Sequence, residues 1–200
     1  GIKDYLMYDG HSYRFVPIKN NTNLRHNDFT DQYDLYSKVT SVYRYDALKS
    51  TDWFVDYHNL FTFCGVQNHR KIFTDTAMEM LAAGDTAAAV GLLDMCREYL
   101  PEENFPLDLS LYGFSNELYV AYMIEAYFEA GASDKGADLA ERFSSGLLDS
   151  AAFFLKYYDW VSEEFDSCRN CLSYVAATAE MYGRKDIAEN IAVRFNSLLE

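Results

Sequence analysis

Two hundred residues, half of them hydrophobic and 16 % aromatic, suffice for one domain with its own core, since a chain of this size buries roughly 70–75 % of its unfolded surface. That composition excludes a disordered chain, and no apolar run approaches the roughly 18 residues that a membrane-spanning helix needs. The net charge of −14 is lopsided: residues 1–66 carry 7 Lys/Arg and 8 Asp without one Glu, residues 67–200 carry 10 Lys/Arg and 23 acids, and this argues against nucleic acid and anionic lipid as ligands.

Glu favours helix interiors and Asp favours caps and turns, so the change near residue 66 is also read as a structural boundary. The plain reading of the acidic excess is a solvated surface that aids solubility. The chain opens Gly-Ile-Lys with no basic-then-apolar leader, as expected of a domain excised from a longer protein.

In chain order, Tyr5–Tyr8 and Tyr13–Val16 flank Asp9-Gly10 and predict a β-hairpin, with Pro17 ending the second strand. A lone hairpin is marginal in water, so residues 1–30, the hairpin and the polar loop after it, are expected to pack on the helices. That loop, 19–30, holds an Asn20-Asn21-Thr22 glycosylation match that arises easily by chance. Residues 31–200 are expected to form an α-helical repeat domain. A first helical stretch runs from Asp31 to about Leu48, with Leu35, Val39, Val42 and Tyr43 at helical spacing. A second runs from about Val55 to Ala82, with Leu60, Phe61, Cys64, Ile72, Phe73, Met80 and Leu81 as core candidates and a break near Gly65.

Three helical hairpins come next, near 69–101, 115–148 and 168–199, turning at Gly84, Gly131 and Gly183. Asp85 caps the helix after the first turn, Ser133 or Asp134 the one after the second, and Pro101 stops the first hairpin. An aromatic segment, Ala151 to Phe165, sits between the second and third hairpins.

Aligned on their glycines, the turns read Ala77, Gly84, Ala89, Pro101; then Tyr127, Gly131, Gly136; then Ala176, Gly183, Ala188. Small residues at such offsets let two helices cross closely, which is the pattern of tetratricopeptide-type repeats. The glycines lie 47 and 52 residues apart, against about 34 in a regular array, so the expected fold is mainly α: an irregular tetratricopeptide-like α-α superhelix with a small N-terminal β-hairpin.

In such folds the first helix of each pair lines a concave groove. Lys71, Thr74, Met78 and Leu81, then Leu118, Ala121, Glu125 and Phe128, then Asn170, Ser173, Ala177 and Glu180 would face it. The paired Lys and Asn of a carboxylate clamp are missing, so a basic or apolar protein or peptide segment suits this groove better than an acidic tail. The plainer reading of Met78, Leu81 and Phe128 is core packing.

No catalytic motif occurs, and neither cofactor nor metal is expected. Cys168-Arg169-Asn170-Cys171 lacks the strand context of a redox site and the further ligands of a zinc site, which leaves buried small residues or one local disulfide. His58 and His69 could share a helix face but have no carboxylate at a telling spacing, and the paired acids Glu102-Glu103 and Glu163-Glu164 read as solvated.

Three stretches carry a further likeness: Tyr5–Ile18; Gly84-Asp85-x-x-x-Ala89 through Pro101-Glu102-Glu103-x-x-Pro106-Leu107; and Tyr127–Gly131 with Lys135-Gly136. They resemble the C-terminal soluble region of a bacterial family of multi-pass membrane proteins, related through its membrane part to protein O-mannosyltransferases. The resemblance implies a tetratricopeptide-like domain on the periplasmic side of the inner membrane, joined to the membrane only through a missing N-terminal part, and it carries over no catalytic residue. The leading expectation is a non-catalytic interaction domain. The alternatives are a carbohydrate-binding module with an aromatic platform from Phe153, Tyr157, Tyr158 and Trp160, and a stand-alone adaptor.

Overall fold

Three turns organise the chain, and each closes in the same way. Gly84, Gly131 and Gly183 take φ of +83°, +75° and +83°, a region closed to most residues with a Cβ. In each, the glycine N–H reaches back three residues and the next N–H reaches back five: Gly84 to Leu81 and Asp85 to Met80, Gly131 to Phe128 and Ala132 to Tyr127, Gly183 to Glu180 and Arg184 to Ala179. These paired bonds satisfy carbonyls that a helix end would otherwise leave open.

The computed structural model describes residues 1–19, 30–52, 56, 66–108 and 116–200. The expected break at Gly65, the core candidates Leu60, Phe61 and Cys64, His58, and most of the 19–30 loop with its Asn20 match lie outside the described residues. Two short strands, β1 (Leu6–Tyr8) and β2 (Tyr13–Phe15), pair antiparallel with Leu6 opposite Phe15. Among the described residues the α-helices are α1 (Gln32–Ser37), α2 (Val66–Ala82), α3 (Thr86–Tyr99), α4 (Asn116–Glu129), α5 (Ser133–Lys156), α6 (Tyr158–Met181) and α7 (Lys185–Leu198).

The fold is mainly helical with a small N-terminal sheet, and its packing is that of an α-helical superhelix. Sequence neighbours α2–α3, α4–α5, α5–α6 and α6–α7 pack side by side, and alternate helices also meet, α2 with α4, α4 with α6 and α5 with α7. The result is two stacked layers. One core runs through both, including Phe73, Ala77, Leu93, Ile124, Phe143, Leu147 and Val175, all fully buried.

The small residues sit where close approach demands them. Ala77 and Ala89 are fully buried between α2 and α3. A Cβ on Gly136 would come within 3.1 Å of the Phe128 ring, tighter than ordinary contact, so a larger residue where α5 crosses α4 would make that ring give way.

Three expectations change. The helix expected from Asp31 to Leu48 is capped by Asp31, whose side chain accepts the Asp34 N–H, but it ends after a wide π turn over Lys38–Val42. There the chain turns inward: the Tyr43 hydroxyl donates to the Asp9 carbonyl, and Tyr45 packs on Phe73 and Tyr99. Helix α5 has Ala132 at its N-cap rather than Ser133 or Asp134, because the Ala132 carbonyl already accepts the first intrahelical bond, from the Gly136 N–H. The aromatic segment 151–165 is no separate element. It prolongs α5 and starts α6, and the two meet at Tyr157.

The hairpin is anchored on the segment from Thr30 through α1. Met7 and Tyr8 are buried, Thr30 donates to the Tyr8 carbonyl at 2.9 Å, Lys38 pairs with Asp9, and Arg14 pairs with Asp34 at 2.8 Å. After α3, Pro101 begins a strap whose Phe105 and Pro106 carbonyls accept from Arg70, a guanidinium only 1 % exposed.

Candidate functional site

The inner layer collects polar side chains that helical spacing alone would place in solvent. Lys71 and Asp75 form an i,i+4 ion pair on α2, and the Lys71 ammonium lies 4.4 Å above the Tyr8 ring. Burial disfavours that charge, but Asp75 and the Tyr8 phenol outweigh burial and hold the lysine above its ordinary range. On α4 the Glu125 carboxylate accepts the hydroxyl of Tyr174 from α6, and Tyr174 meets Tyr122 edge-on at 5.6 Å. Burial, then Glu125 and Asp75, raise the Tyr122 phenol; burial, then Asp75, raise the Glu79 carboxyl. This face is lined by tyrosines and carries more carboxylates than cations.

The structure divides the residues that the spacing assigned to a groove. Lys71 and Glu125 lie in this network. Thr74 is buried, its hydroxyl donating to the Arg70 carbonyl at 2.7 Å. Met78 is buried, and Phe128 stacks on Tyr182 with centroids 5.7 Å apart. Asn170, Ser173 and Glu180 are exposed, on the side of α6 opposite buried Cys168, Leu172 and Val175. Core packing therefore occupies the middle of the expected surface.

A second surface stands at the junction of the two longest helices. Along α5, Leu139, Phe143, Leu147 and Ala151 face the core at helical spacing, which turns Phe153 and Lys156 outward. Tyr157 leaves the helical conformation at φ −122°, and Val161 breaks it again at φ −135°, ψ 38°. Between these breaks the chain projects Tyr158 and Trp160. Phe153 packs on Tyr157 at 5.2 Å, and Tyr158 meets Phe165 edge-on at 5.6 Å. Phe153, Tyr157 and Tyr158 nonetheless remain about half exposed, and Trp160 is 89 % exposed. Apolar area left in water forfeits roughly 25 cal/mol per Å² of burial, so four exposed rings within eight residues of chain leave that much stabilisation unused.

Among the described residues, the cysteines and His69 pack in the interior. Cys96, Cys168 and Cys171 are buried thiols, and burial pushes the Cys96 thiol up to about 12, so it stays protonated. His69 sits in an aromatic cluster with His11 and Tyr45, at 5.4 and 5.5 Å between ring centroids. Glu102 pairs with Arg142 at 3.0 Å. Among the described residues no group of three or more His, Cys, Asp or Glu is placed to hold a metal ion, and no helix is long and apolar enough to cross a membrane.

No protein-family model matches the chain, and no similar curated protein or solved structure is found.

Sequence reasoning named the four aromatics of the tip but missed Arg70 and the Tyr174–Glu125 bond. A buried arginine leaves no local signal, because its partners are backbone carbonyls 35 and 36 residues away.

Proposed function

We propose that this chain is a non-catalytic helical-repeat interaction domain that engages a partner through the aromatic tip formed by Phe153, Tyr157, Tyr158 and Trp160. The exposure of Trp160, close in sequence to the exposed rings of Phe153, Tyr157 and Tyr158, carries the reading. Tyr and Trp supply large contact area at low entropy cost and dominate protein interfaces. The acids Asp159, Glu163 and Glu164 around the tip, within a chain of net charge −14, suit a basic or apolar protein or peptide segment. The periplasmic location, and attachment to a membrane glycosyltransferase-like part, rest on the sequence resemblance alone.

The exposed rings also favour a second reading, a carbohydrate-binding module, since sugars stack on exposed aromatic faces. A glycan array and a partner pull-down, each run with the natural chain and with a Tyr157→Ala/Trp160→Ala double variant, separate the two. Ring-dependent capture of one protein with a silent array supports the interaction domain. Saturable, ring-dependent glycan binding supports the alternative, and turnover of a lipid-linked sugar by this chain alone would refute both.

A further inference from the structure

Away from the tip, a cleft of about 560 Å³ opens between α5 and α7, within the size range of small-ligand sites. Buried Ile187 and Ile191 form its floor. Ser144, Ser145 and Asn190 line it, with Glu141 and Arg194.

Two of these groups are incompletely satisfied. Ser144 is 3 % exposed, yet its hydroxyl has no hydrogen-bond partner. By contrast, the buried helical hydroxyls of Thr74 and Thr76 bond the carbonyl four residues back. A buried hydroxyl without a partner is costly to leave so. Arg194 donates only to the neutral Ser145 hydroxyl, at 3.3 Å, and has no carboxylate within 4 Å among the described residues. Its neighbours are matched: Arg142 pairs with Glu102 and Asp138, and Arg184 neutralises Asp186 on the cleft rim. An arginine left without an acid, in a chain with 31 acidic residues, is a guanidinium fork suited to an anion from outside the chain.

We propose that this cleft binds a small hydrophilic monocarboxylate, its carboxylate on Arg194 and its polar groups on Ser144, Ser145 and Asn190. One uncompensated guanidinium beside Glu141 matches a single negative charge, whereas a phosphate dianion would be repelled by that carboxylate. A sugar acid presents hydroxyls to the serines and Asn190. A free amino acid instead presents an ammonium that Glu141 can accept, one turn along α5 from Ser145.

The test is an NMR titration of the whole chain with glucuronate, glutamine and inorganic phosphate, following the Asn190 side-chain amide and the Arg194 Nε–H. Saturable shifts with glucuronate identify a sugar-acid site, and with glutamine an amino-acid site. Either affinity should fall about tenfold in Arg194→Gln and severalfold in Arg194→Lys, which keeps the charge but loses the fork. Ser144→Ala should weaken binding while leaving the melting temperature of the ligand-free protein unchanged or higher, which a serine needed only for folding would not do. The proposal is overturned by the absence of saturable shifts with either carboxylate up to about 50 mM. Affinity unchanged in Ser144→Ala and Arg194→Lys, or phosphate binding as tightly as the carboxylates, overturns it equally.

Discussion

Tyr127 on α4 donates its hydroxyl to Asp94 on α3 at 2.9 Å, and the other oxygen of that carboxylate takes Lys135 of α5 at 2.5 Å. One side chain on the first helical pair thus ties both helices of the second. Tyr127 is fully buried, and burial together with Asp94 pushes its phenol far above the ordinary range. Tyr127→Phe keeps the ring and should cost about 1 kcal/mol, whereas Tyr127→Ala should cost about 3–5 kcal/mol. Urea unfolding of the two variants measures the difference; equal losses would mean that the hydroxyl, not the ring, holds the layers.

Two helical glycines should respond in opposite directions. Gly91 in α3 has open space where a Cβ would be, so Gly91→Ala should stabilise by about 0.5–1 kcal/mol. Gly136 faces Phe128, and Gly136→Val should destabilise by about 1–3 kcal/mol through overpacking. Thermal melts of both variants against the natural chain decide this.

His11 packs against Tyr43 at 4.8 Å and edge-on to His69, and its burial lowers its pKa from 6.5. The unfolded chain therefore binds the proton more tightly. The stabilising share of neutral His11 is fully present above pH 6.5 and is lost as pH falls from there toward the lower folded value. The melting temperature should drop between about pH 7.5 and 5.5, and the drop should shrink in His11→Gln. An identical slope in that variant would assign the effect to other groups.

Arg70 holds the strap after α3 by its bonds to the Phe105 and Pro106 carbonyls. Arg70→Ala leaves those carbonyls without their donor and should cost about 1–3 kcal/mol. Hydrogen exchange at Asn104 and Phe105, whose amides bond the Pro101 carbonyl, should rise before the rest of the helices open.

Trp160 makes so little contact that Trp160→Ala should change stability by no more than about 0.5 kcal/mol. Partner binding should nonetheless fall sharply. A large loss of stability in chemical unfolding would show the ring to be structural.

The chain order alone determined the features that depend on local backbone freedom. Gly84, Gly131 and Gly183 had to be turns, because few other residues adopt their φ, and Asp85 had to cap, because its carboxylate reaches the Ala88 amide. The mainly helical fold with its short hairpin was legible from those signals and from apolar periodicity. Only the tertiary structure decided which face each helix buries: periodicity put Thr74 on a groove and left Met78 and Phe128 between groove and core, and packing put all three inside. It likewise joined 151–165 to α5 and α6, and brought Tyr127 to Asp94 and Arg194 to Ser145, pairs 33 and 49 residues apart. Contacts of that range are chosen by how whole helices stack, and no local window of sequence contains that information.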